Sequence, residues 1–149
     1  MPYELTITRG FPASREVLWT ALTDPAILST WYWPEAFEAT WTLDLRDGGR
    51  WRVESEAADM AAQGLFTAVE PPERIAYTWK WDDEDIDTHV TMHLMGSTDD
   101  GAGAAGPSTQ CVLSHFDFET EHARDDHIQG WNDCLDRLET QLTHRSATR

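Results

Sequence analysis

Histidine, cysteine and carboxylate side chains fall at several places in this sequence where spacing tests whether they could act together. His89 and His93 are separated by an even step in a stretch of period two, so they share a strand face. At ~3.3 Å per residue they stand about 13 Å apart, too far for one metal ion. Cys111 and His115 repeat that spacing, so a thiol nucleophile and an imidazole base there cannot touch directly. Cys111 reads instead as a small core residue. His122 and His127 miss the i, i+4 step of a zinc-binding helix, and neither H-E-x-x-H nor C-x-x-C occurs. The carboxylate-dense run Asp82 to Asp87 lacks the glycine and the final glutamate of a calcium-binding EF-hand loop. It reads as a solvated hairpin tip. No metal and no cofactor is expected.

Gly101-Ala102-Gly103-Ala104-Ala105-Gly106 satisfies G-x-G-x-x-G, but a dinucleotide needs a helix N-terminus next, to hold its pyrophosphate. Pro107 follows, and Thr109–Phe116 alternates as a strand, so a hairpin loop is expected there. No G-x-S-x-G elbow is present. The informative set is aromatic. Tyr77, Trp79 and Trp81 alternate along one face of one strand, and Trp51 with Val53, and Val90 with Met92 and Leu94, do the same elsewhere. Together with Trp33, Phe66 and Trp131 they converge on one interior, as a solid aromatic core or as the walls of a cavity. His115 shares the inward face of Leu113, where it could meet a ligand or stay a hydrogen-bonded core histidine.

The elements that must position these residues follow from periodicity. Tyr3, Leu5 and Ile7 alternate with polar residues as a first strand. Ser14 caps a helix from about Arg15 to Leu22, and Asp24-Pro25 starts a second short helix carrying Ile27, Leu28 and Trp31. Six strands are then predicted, over Phe37–Leu45, Gly49–Glu54, Gly64–Val69, Arg74–Trp81, Thr88–Met95 and Thr109–Phe116. Asp47-Gly48-Gly49 and Pro71-Pro72-Glu73 are turn signals. Ile128, Trp131, Leu135, Leu138 and Leu142 then recur at steps of three and four, the stripe of an amphipathic helix from about Ala123 to His144, flanked by His127 and Cys134. The expected fold is α+β: a curved antiparallel sheet of six to seven strands wrapped around one long C-terminal helix.

Composition bounds the rest. The chain has 149 residues, 40% hydrophobic and 26% charged, with eight tryptophans, a globular balance read as a single domain over 1–149. Eleven basic against 27 acidic residues give a net charge of −16. That excludes the basic footprint nucleic acid requires and disfavours anionic membrane surfaces. No apolar run approaches the ~18 residues of a membrane span. No signal peptide opens the sequence, and two cysteines, Cys111 and Cys134, make no disulfide framework, so a cytoplasmic protein with free thiols is expected.

The order of elements and the stretches Val17–Pro25, Trp31–Phe37, Asp44–Trp51, Gly64–Phe66, Pro71–Ile75, Tyr77–Trp79 and Gly130–Leu138 resemble a known family. It is the activator-of-heat-shock-protein-90-ATPase-homologue-like branch of the START/SRPBCC (Bet v-like helix-grip) superfamily. The resemblance implies a cavity between sheet and long helix. The family takes its name from a eukaryotic co-chaperone with an additional N-terminal domain, for which this length leaves no room, so chaperone activation is not the expected role. The leading expectation is binding of a small hydrophobic or aromatic molecule by Trp33, Trp51, Phe66, Trp79, Trp81, Met92, His115 and Trp131. The alternatives are a cyclase- or hydrolase-type enzyme in the same cavity with His115 as acid/base, and an interaction module using the outer sheet face. A homodimer stays open.

Overall fold

The computed structural model describes residues 3–96 and 108–147. A strand, β1 (Tyr3–Phe11), leads into two short helices, α1 (Arg15–Thr23) and α2 (Pro25–Trp31). Ser14 and Asp24 cap them as their sequence positions imply: Ser14 Oγ accepts from Val17 N–H and the Asp24 carboxylate from Ala26 N–H. Six strands follow, β2 (Thr40–Leu43), β3 (Arg50–Ser55), β4 (Met60–Glu70), β5 (Arg74–Trp81), β6 (Thr88–Gly96) and β7 (Thr109–Phe118), and then the long helix α3 (Glu121–Ala147). All neighbouring strands pair antiparallel in one curved sheet of order β1-β7-β6-β5-β4-β3-β2. This is the helix-grip arrangement. The G-x-G-x-x-G stretch lies outside the described residues.

Most strand ends shift by a residue or two from the sequence expectation, and the starts of β2 and β4 shift further. Phe37 does not start β2; it closes a single 3-10 turn, Glu35–Phe37, that Pro34 opens and Glu38 ends in the left-handed region at φ 50°. Ser55 Oγ donates to the Phe37 carbonyl and ties that corner to β3. β4 begins at Met60 and not at Gly64, because Met60 and Ala61 gain cross-strand partners on β3, and Ala62 and Gln63 gain them on both β3 and β5. Here pairing overrides weak intrinsic strand preference.

The inner sheet face, α1, α2 and the apolar stripe of α3 enclose one core. Trp31, Leu113, Leu135, Leu138 and Val90 are essentially inaccessible to solvent. Gly64 is required where β3, β4 and β5 meet. A Cβ there would stand 1.9 Å from the Thr78 carbonyl oxygen and 2.6 Å from Trp51 Nε1, and the Trp51 indole crosses this gap to donate to that same carbonyl at 3.0 Å. Arg9 fixes the helix to the sheet edge by reaching from β1 to Asp136 and Asn132 on α3. Arg137 ties α3 to the end of α2, donating to the carbonyls of Trp31 and Tyr32 at 2.9 Å each. Among the described residues no helix is long and apolar enough to cross a membrane.

Candidate functional site

The inward-facing aromatic residues separate into two groups. Deep under the sheet, Trp51, Phe66 and Met92 pack with Tyr77, Ile75 and Leu28 around a void of about 20 Å³, room for about one water. Trp51 meets Tyr77 edge-on at 5.4 Å and Phe66 meets it at 6.1 Å, the geometry aromatic quadrupoles favour. The centre of the grip is thus filled by side chains. At the mouth the situation is different. Where β5 ends, the α2 corner and the N-terminal half of α3 stand apart and leave a groove of about 600 Å³, within the usual range for small-molecule sites.

Trp33, Trp79, Trp81 and Trp131 line this groove, together with Phe37 and Met60. Trp33 and Trp81 lie nearly parallel, 17° apart in plane, with centroids at 6.1 Å. Period two along β5 carries Trp79 inward and Trp81, two residues on, to the half-buried rim. Trp131 belongs to the α3 stripe, so helix and sheet contribute opposite walls. Two residues outside the sequence-based set complete it. His127 projects from α3 four residues before Trp131 and meets the Trp79 ring edge-on at 4.8 Å and Phe118 at 4.9 Å. Tyr32 forms part of the lining of both the groove and the inner void. Its hydroxyl accepts from Trp79 Nε1 at 3.2 Å. His127 was legible in principle, since His127, Trp131 and Cys134 recur at i, i+4 and i+7 on one face; Tyr32 sits in a corner with no periodicity to read.

His115 lies behind the groove, fully buried. Trp131 Nε1–H donates to its Nδ1 at 3.0 Å. An indole is only a donor, so the imidazole proton must sit on Nε2, which reaches Thr88 Oγ1 at 2.6 Å. The Thr88 hydroxyl then donates to the Trp79 carbonyl at 3.0 Å. Both ring nitrogens are therefore engaged and the ring is neutral. Burial holds its pKa well below the usual histidine range, helped by His127 and His89. Burial also pushes His127 down to about 4, opposed by the Asp126 carboxylate. The thiols of Cys111 and Cys134 are free, buried and pushed up to about 12 by that burial, so neither is a ready nucleophile.

The carboxylates distribute themselves around the groove's outside. Glu84, Asp126 and Asp133 lie on its border with His122 and Arg137. Asp82 turns away and is gripped by both terminal nitrogens of Arg52, at 2.9 and 2.7 Å, which holds its carboxyl below the usual range. His89 and His93 are on the outer face of β6, where His89 approaches the Asp117 carboxylate at 2.7 Å. Among the described residues no three metal-ligating side chains come together.

The profile of the activator of Hsp90 ATPase homolog 1-like protein family matches residues 12–143. The chain belongs to this family. No curated protein matches significantly in sequence. Solved structures of the same fold include an Hsp90 activator from Plasmodium falciparum, at 21% identity and TM-score 0.74 over 94% of this chain and 96% of that one. The AHSA1 protein of Silicibacter pomeroyi is similar at 23% identity and TM-score 0.76, over 96% and 99%. DynU16, a protein from the dynemicin biosynthetic locus, reaches TM-score 0.77 at 18% identity, over 94% of this chain and 47% of its own. At these identities the likeness is one of fold.

Proposed function

We propose that this protein binds a small, flat, largely apolar molecule between the end of the sheet and the C-terminal helix, in the groove walled by Trp33, Trp81, Trp131 and His127. The observation that carries this reading is the contrast between a centre closed by packed rings and an aromatic-walled groove of about 600 Å³ at its mouth. Four tryptophans half or wholly withdrawn from water, with charged groups on the groove's border, make a surface that gains by covering another ring. A binding role is favoured over catalysis. His115, the acid/base of the enzyme alternative, has both nitrogens committed inside the core, and the reacting proton would have no path to it. Trp51, Phe66 and Met92 act from behind, by holding the floor rigid.

The test is titration with acridine, neutral at pH 8, followed by tryptophan fluorescence. Micromolar quenching is expected. Trp81→Ala, at the half-buried rim, should weaken binding about tenfold or more, in line with loss of a central aromatic contact, while moving the melting temperature only slightly. Equal affinity in the variant and the parent would overturn the assignment of the groove.

A further inference from the structure

The groove's apolar walls say that a ring fits; its border says which charge that ring should carry. Glu84 lies on the β5–β6 loop just past Trp81, and Asp126 on α3 just before His127. Both line the same groove as the stacked Trp33 and Trp81. Neither faces a permanent cation there. Among the described residues Glu84 enters no ion pair, and the Asp126 partner is the exposed His122 at 3.3 Å, charged only when protonated. His127, the polar group among the rings, is neutral near pH 7. Among the described residues the groove's one permanent cation is Arg137, eleven residues beyond Asp126 on α3 and roughly 16 Å away along the axis, with its guanidinium held against the Trp31 and Tyr32 carbonyls. Lys80 alternates with Trp79 and Trp81 and so emerges on the other face of β5.

We infer that the ligand of this groove is a flat aromatic cation, an amine-bearing or ring-protonated polycycle, with its rings against Trp33 and Trp81 and its positive charge toward Glu84 and Asp126. This rests on the reading of the groove as a small-molecule site. Two physical effects act in the same direction. Indole faces attract cations through their quadrupole, tryptophan most strongly. A partly desolvated wall beside carboxylates concentrates positive ligands and repels negative ones. An anionic ligand of the same shape, such as a carboxylate or phosphate ester, meets Glu84 and Asp126 and finds its cation only at Arg137, further along α3.

Three probes of one ring size separate charge from shape: 9-aminoacridine as the cation, acridine as the neutral form and acridine-9-carboxylate as the anion, measured by calorimetry at pH 8, where His127 is uncharged. The cation should bind about tenfold tighter than acridine at about 20 mM salt and the anion weakest, and the spread should narrow to about threefold at 0.5 M as screening sets in. In the Glu84→Gln/Asp126→Asn double variant, 9-aminoacridine should fall to within about threefold of acridine. Acridine or its carboxylate binding as tightly as the cation would overturn the inference and leave the groove itself intact. A cation preference unchanged in the double variant would also overturn it, because the net charge of the whole surface would then be the cause. If no probe binds in a way that Trp81→Ala weakens, the reading of the groove as a site falls, and this inference with it.

Discussion

His115 illustrates how one buried imidazole organises its surroundings. Its neutral ring is the middle link from Trp131 on the helix, through Thr88 on β6, to the backbone of β5. Protonation would put a second hydrogen where the indole already donates, and burial opposes the charge besides. His127 is depressed to about 4 for the same reason. The sign follows: both folded values lie below the unfolded value, so below pH 6.5 the unfolded chain takes up protons the folded one refuses. The stability contributed by the two neutral rings is complete above about pH 6.5 and declines as pH falls toward 4. Urea unfolding across that window should show the decline, and His127→Phe should lessen its slope by about 1 kcal/mol per pH unit between pH 6 and 5. Superimposable profiles for the two proteins would show that His127 titrates normally.

At the scale of elements, α3 carries the argument. Trp131 is buried, bonded to His115 and edge-on to Tyr32 at 5.8 Å. Trp131→Ala should cost about 3–5 kcal/mol in urea unfolding. Trp131→Phe keeps most of the ring but leaves Nδ1 of His115 without a donor, for about 1–3 kcal/mol. An alanine variant with the parent's midpoint would mean the helix does not seal the core. These elements were legible because periodicity reports which way a side chain points, which gives the β5 limits and the α3 stripe, while residue type gives the caps at Ser14 and Asp24. Periodicity does not report depth. Trp51 and Trp81 share the inward direction, yet one is under the sheet and the other at its rim, and only the curvature of the paired strands decides that. The candidate groove at the mouth was therefore partly visible: Trp33, Trp79, Trp81 and Trp131 were in view, His127 only as a flank of the α3 stripe, and Tyr32 not at all.

The whole molecule carries sixteen more negative than positive charges, so most carboxylates have no cation to pair with. Among the described residues the pairs include Arg52 with Asp82 and Glu54, Arg74 with Glu70, Arg124 with Glu121 and Arg9 with Asp136. Such exposed pairs contribute little individually, and the remaining repulsion acts over the full surface. Salt shortens its reach to about 10 Å at 0.1 M. Melting temperature should therefore rise between low salt and a few hundred millimolar sodium chloride, as read by differential scanning calorimetry. A flat curve would mean the charges are spaced widely enough not to repel.

Tyr32 stands between two spaces of very different size, a void of about 20 Å³ and a groove of about 600 Å³. A phenol ring is the bulkhead between them, held by one hydrogen bond from Trp79 and by its ring neighbours. The reach of the site into the protein is thereby set at a single codon. A smaller residue at this position would join the shallow groove to the space beside Trp51 and Phe66 and lengthen the proposed site without moving a strand.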